Sequence, residues 1–222
     1  MITGLNNADD VMSNSSVIPL YGDVFDENGN PMSSTNNPNG HNLVLIRTLP
    51  FSYRPLNDYI VSPDKEEVIN KIFMYYWNDL GYSSSLLKNN KFTIKRRGKD
   101  DTGDLATSCV TNEIFIYKEH DNIIRRGLHY KEYLRSSLYH EWFHLVQRKG
   151  CPVNYSTKMY EEHIDVYYKQ FSKSDFKEKM DPEWIKGLYR TCVDELITPY
   201  GITYPAKAQE WKNKFKALNL GL

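Results

Sequence analysis

Basic residues are missing from the start of this chain. Asp9, Asp10, Asp23, Asp26 and Glu27 all precede Arg47, the first Lys or Arg. A secretory signal needs a basic start and then an apolar stretch, and Met1 to Leu20 has neither. Long apolar runs are lacking too: none approaches the length of a membrane span, so no membrane partner is expected. Nor is there an excess of one charge. The 28 Lys and Arg balance the 28 Asp and Glu, and such a total calls for no nucleic acid. The imbalance is internal, because five unmatched acids lead and the remainder carries the compensating bases. Cysteine is scarce. Cys109, Cys151 and Cys192 are too few and too scattered for a disulfide framework, and no two have the CxxC spacing of a thiolate metal site. Three reduced thiols are the expectation.

What is present suffices for a folded protein. Of 222 residues 40% are hydrophobic and 14% aromatic, which excludes wholesale disorder and permits a sizeable core. Residues 1–40 stand apart, with eight Asn and five Ser among interspersed Gly and Pro. So polar a stretch buries too little to offset its ordering entropy, and it reads as a disordered leader, either a plain floppy terminus or an export signal. One α+β domain is expected over 41–222.

Within that domain Leu43 to Ile46 reads as a strand, followed by a loop with Pro50 and Pro55. A helix capped by Ser62, with Pro63 at its first position, carries an apolar stripe of Val68, Ile69, Ile72, Phe73, Tyr76, Trp77 and Leu80 before Gly81 ends it. Lys91–Arg97 and Asn112–Glu119 read as strands around a charged loop, and Tyr130–Lys149 as a helix stopped by Gly150 and Pro152. Helices follow over Thr157–Phe171, capped by Ser156, and Pro182–Leu196. A turn at "TPYG" and a charged last helix complete the chain.

The helix over Tyr130–Lys149 contains "HEWFH", His140 to His144. Residues four apart on a helix share a face, so both imidazoles can reach one ion. Zn2+ accepts nitrogen ligands and, at catalytic sites, keeps one of four positions for water. Glu141, beside the first ligand, stands where a general base could take a proton and later pass it to a leaving amine. Each residue type in the pattern therefore has a chemical task. An aromatic-rich core helix with two satisfied histidines is the plainer alternative.

A third protein ligand is needed, and several candidates stand open. "YEEHIDVYY" offers Glu161 and Glu162, with His163 as a substitute; Glu161 and Asp165 resemble the Glu-x-x-x-Asp pair of thermolysin-like enzymes, which implies that Asp165 braces a ligand histidine. "CVDELITPYG" offers Asp194 and Glu195. Tyr200 or Tyr204 could hydrogen-bond an oxyanion. The basic run Lys95–Lys99 could guide an acidic substrate, though a solvated strand end is the simpler account.

With a polar leader, "HEWFH" near position 140 and a following "EE", the chain resembles the short zinc metalloproteases that bacteria inject through type III secretion, of the NleD and HopH kind. "VDELITPYGI", with Gly201, is similar in character to a segment of related HExxH toxins, whereas Trp142 and Phe143 replace the usual smaller aliphatics. NleC-like proteases fit less well, since Gly150 occupies their Asp position. The resemblance implies a zincin-like domain and a monomer that reaches a host cytosol. There it would cut a host signalling protein, stress-activated MAP kinases being known targets of some members. A housekeeping metallopeptidase and a non-catalytic binding protein are the competing readings.

Overall fold

The computed structural model describes residues 23–26, 28–32, 43–46, 52–55, 65–99, 103–108, 110–118, 128, 130–147, 157–173 and 178–220. They divide into two compact units, one drawn from Pro19–Cys151 and the other from Pro152–Leu222.

In the first unit the apolar stripe forms helix α1, Glu66–Asp79. Ile69, Ile72, Phe73, Tyr76 and Trp77 are wholly buried in a core that also takes in Phe92, Ile114, Ile116 and Leu138. Glu66 and Glu67 sit in its first turn, where the helix dipole favours acids. The expected cap Ser62 and Pro63 lie outside the described residues. At the far end Gly81 adopts φ +80°. The Gly81 and Tyr82 amides then donate to the carbonyls of Asn78 and Trp77, which the helix itself leaves without partners.

Phe25 corrects the reading of residues 1–40 as disordered, although 1–22 and 33–42 lie outside the described residues. Strand β1, Val24–Phe25, pairs parallel with β2, Leu43–Ile46, and the Phe25 ring is wholly buried in the core. Asp23 accepts hydrogen bonds from the Tyr76 hydroxyl at 2.8 Å and from Lys131 at 3.1 Å. The Asn and Gly content that reads as disorder is turn chemistry here. Asp26 Oδ1 accepts from the amides of Asn28 and Asn30, both at 2.8 Å. Gly29 takes φ +79°, and a Cβ there would stand 2.8 Å from the Val68 carbonyl oxygen.

A second correction concerns Pro55. The loop expected to carry it contains strand β3, Ser52–Pro55, antiparallel to β2. An edge strand tolerates proline because its outward amide has no strand to bond.

A second sheet has the order β4–β6–β5, from Thr93–Arg96, Leu105–Ser108 and Glu113–Lys118. The central β6 runs parallel to β4 and antiparallel to β5. β4 and β6 fall where the sequence puts strands; β5 has no such signal, since Leu105 is its one large apolar residue. Ile114 and Ile116 of β6 enter the core. Lys95 stands 5.2 Å over the Phe115 ring and Arg97 5.4 Å over Tyr117, so part of the basic run lies against strand aromatics. Helix α2, Lys131–Gln147, packs on β5. It falls inside the expected span, and Gly150 and Pro152 lie outside the described residues.

In the second unit, helix α3 covers Thr157–Ser172, and its expected cap Ser156 lies outside the described residues. Helix α4, Pro182–Cys192, starts on Asp181, whose Oδ1 accepts from the amides of Glu183 and Trp184. The expected stop at Leu196 and turn at "TPYG" do not occur. A π-helical turn at Val193–Ile197 leads into α5, Thr198–Thr203, before α6, Pro205–Ala217. Pro199 is the reason. In a regular helix its ring would clash with the carbonyl four residues back, and the wider turn before it makes room. The helices close on Ile164, Phe171, Ile185, Ile197, Trp211 and Phe215, all buried.

Candidate metal centre

His140, Glu141 and His144 lie on α2, and all are buried, at 8%, 6% and 6% exposure. Buried imidazoles and a buried carboxylate are costly unless paired or bound. The helical spacing turns the two rings to one side, with His140 Nε2 and His144 Nε2 3.2 Å apart. Two nitrogens bound at the usual zinc distance in a tetrahedron stand about 3.3 Å apart. The pair has the separation that ligation needs. Leu138, wholly buried, fixes the helix on the core, with Trp142 and Leu145 packed half-buried beside it. Trp142 stacks on Tyr82 with ring centroids 4.6 Å apart and planes at 6°. These bulky aromatics therefore have a packing role.

Glu141 has a partner that no motif announces. The Thr107 hydroxyl on β5 lies 2.7 Å from Glu141 Oε2 and 3.2 Å from the Glu141 carbonyl oxygen. A hydroxyl has one proton to give, and the shorter contact, to a carboxylate, is the stronger.

Of the residues considered for the third ligand, Glu161, Glu162 and His163 are half-buried on α3. Glu161 Oε2 accepts from the Tyr200 hydroxyl at 3.0 Å and lies 3.4 Å from Lys207 Nζ. Tyr200 is 1% exposed. Burial, and then the Glu161 carboxylate, push its hydroxyl above the ordinary range, so at neutral pH it is a donor. Tyr204 is 39% exposed, with Lys207 over its ring. Asp165 pairs with Lys169 at 2.9 Å. Asp194 and Glu195 are exposed on the π-helical turn. His163 stacks on Tyr167. His140 and His144, with their Nε2 atoms 3.2 Å apart, could hold a metal ion between them.

Cys192 is buried and free, and burial holds its thiol far above the range of a reactive thiolate. Cys109 and Cys151 lie outside the described residues.

A family model described as metallopeptidase toxin 2 matches residues 23–183, from the Asp23 that anchors β1 to the first turn of α4. No curated protein and no solved structure gives a significant match.

Proposed function

We propose a function on one premise: the chain belongs to the metallopeptidase toxin 2 family. It is a zinc-dependent endopeptidase toxin whose substrate is a protein of the cell it enters. The observation that carries this reading is the buried pair His140 and His144, with Nε2 atoms 3.2 Å apart and Glu141 between them in sequence.

The donor set fits zinc. Imidazole nitrogen is a common zinc ligand, and three protein ligands with one open position define a catalytic site. His140 and His144 would hold the ion, with Glu161 or Glu162 the expected third ligand. When bound there, zinc acts as a Lewis acid that polarises a peptide carbonyl and lowers the pKa of water. Glu141 takes up the proton on its carboxylate and returns it to the leaving amine. Tyr200 directs its hydroxyl to Glu161, so its role is to fix that carboxylate on α3.

A zincin-like arrangement is supported by a sheet followed by the HExxH helix that packs on its edge strand β5. Injection by a type III system and a host signalling target, as in NleD- and HopH-like proteases, rest on the resemblance carried by "HEWFH" and the following "EE". A metallopeptidase that acts as a toxin is common to that reading and to the family description.

The test compares new protein N-termini in a host-cell lysate treated with wild type or with Glu141→Ala. Wild type should generate a defined set that the variant does not, while the variant keeps its circular dichroism and its zinc content by mass spectrometry. Equal cleavage by both proteins would remove Glu141 from the chemistry, and wild type without zinc would remove the metal.

A further inference from the structure

A glutamate that works as a base must be held, because its three side-chain torsions otherwise scatter the carboxylate. Helix geometry fixes the Cα of Glu141 but not the position of its oxygens. The Thr107 hydroxyl meets Oε2 at 2.7 Å from the third position of β5. That strand is itself registered on β6, with Thr107 opposite the wholly buried Ile114. Thr is β-branched and stiff at χ1, so a strand-mounted threonine is a rigid donor.

We infer that Thr107 is the positioning residue for Glu141, holding its carboxylate through Oε2 in the orientation from which it exchanges protons with the substrate. This rests on the proposed peptidase reading and goes beyond the HExxH motif. The bond joins two elements, β5 and α2, and lies within the first unit. The carboxylate's geometry is set by the sheet as well as by its own helix. Thr107 does not touch the reacting atoms; it acts through Glu141.

The substitution that isolates the hydroxyl is Thr107→Val, which keeps the branched shape. Thr107→Ser keeps the hydroxyl and gives up the methyl. The probe is a library of peptides from a digested host-cell proteome, and one peptide that wild type cuts then serves for kinetics. Thr107→Val should lower kcat by roughly 10- to 100-fold with KM changed little, and Thr107→Ser should recover most of that loss. Zinc content should match wild type in both. In chelator-treated protein Thr107→Val should lower Tm by about 2–4 °C, and this loss should shrink when Glu141 is already Ala, because only the weaker contact to the carbonyl of residue 141 then remains.

Wild-type kcat in Thr107→Val, or an equal loss in Val and Ser, would overturn the positioning role and leave the peptidase reading standing if Glu141→Ala is inactive. So would a Tm loss that is undiminished in the Glu141→Ala background. Cleavage that survives Glu141→Ala, or no cleavage of the library by wild type, would overturn both.

Discussion

Individual side chains divide into those whose task is legible from type and spacing and those whose task depends on a neighbour distant in sequence. His140, Glu141 and His144 belong to the first kind. The chemistry proposed for them starts from a four-residue interval on a helix, and the structure places both rings on one side. Thr107 belongs to the second. Nothing in "LATS" distinguishes it, and only the pairing of β5 brings its hydroxyl to Glu141. For the third ligand that the motif calls for, Glu161, Glu162 and His163 are adjacent in sequence, so spacing cannot separate them. His144→Ala should weaken zinc binding by at least roughly 100-fold in a competitive chelator titration, and unchanged binding would remove the histidine pair from the metal.

Among the elements, α1 shows how periodicity becomes stability. Its stripe at helical spacing is the core face seen in the structure, while Glu67 and Lys71 pair on the exposed side at 3.5 Å. Ile72→Ala should cost about 2–5 kcal/mol and Glu67→Ala less than about 0.5 kcal/mol, both read from urea unfolding. Equal effects would mean that the stripe does not carry the core. β5 and α5 show the opposite case. β5 has too little apolar content to announce a strand and exists because β6 offers it a pairing edge. α5 contains Pro199 and Gly201, both breakers by propensity, yet the π-helical turn before it keeps the chain helical and seats Tyr200 on Glu161. Propensity loses in both places because a tertiary partner outweighs it.

For the whole molecule, the consequence lies at its start. Counting composition sets the boundary of order near 41, but Phe25 lies in the core and Asp23 holds Tyr76 and Lys131. A chain that begins at residue 41 should therefore melt well below the full one. Phe25→Ala in the full chain should reproduce much of that loss, about 3–5 kcal/mol by differential scanning calorimetry. An unchanged Tm in the shortened chain would show that β1 contributes nothing. By itself the sequence determined an α+β protein, the α1 core face and the histidine pair with its adjacent glutamate, because helical periodicity and residue spacing are local properties. Only the tertiary structure decided that Phe25 is core, that a strand passes Thr107 beside Glu141, and that Glu161 is engaged by Tyr200 and Lys207. Those facts depend on contacts between residues 34 to 46 positions apart, or on one aromatic finding a core built from later segments, and no local pattern encodes either.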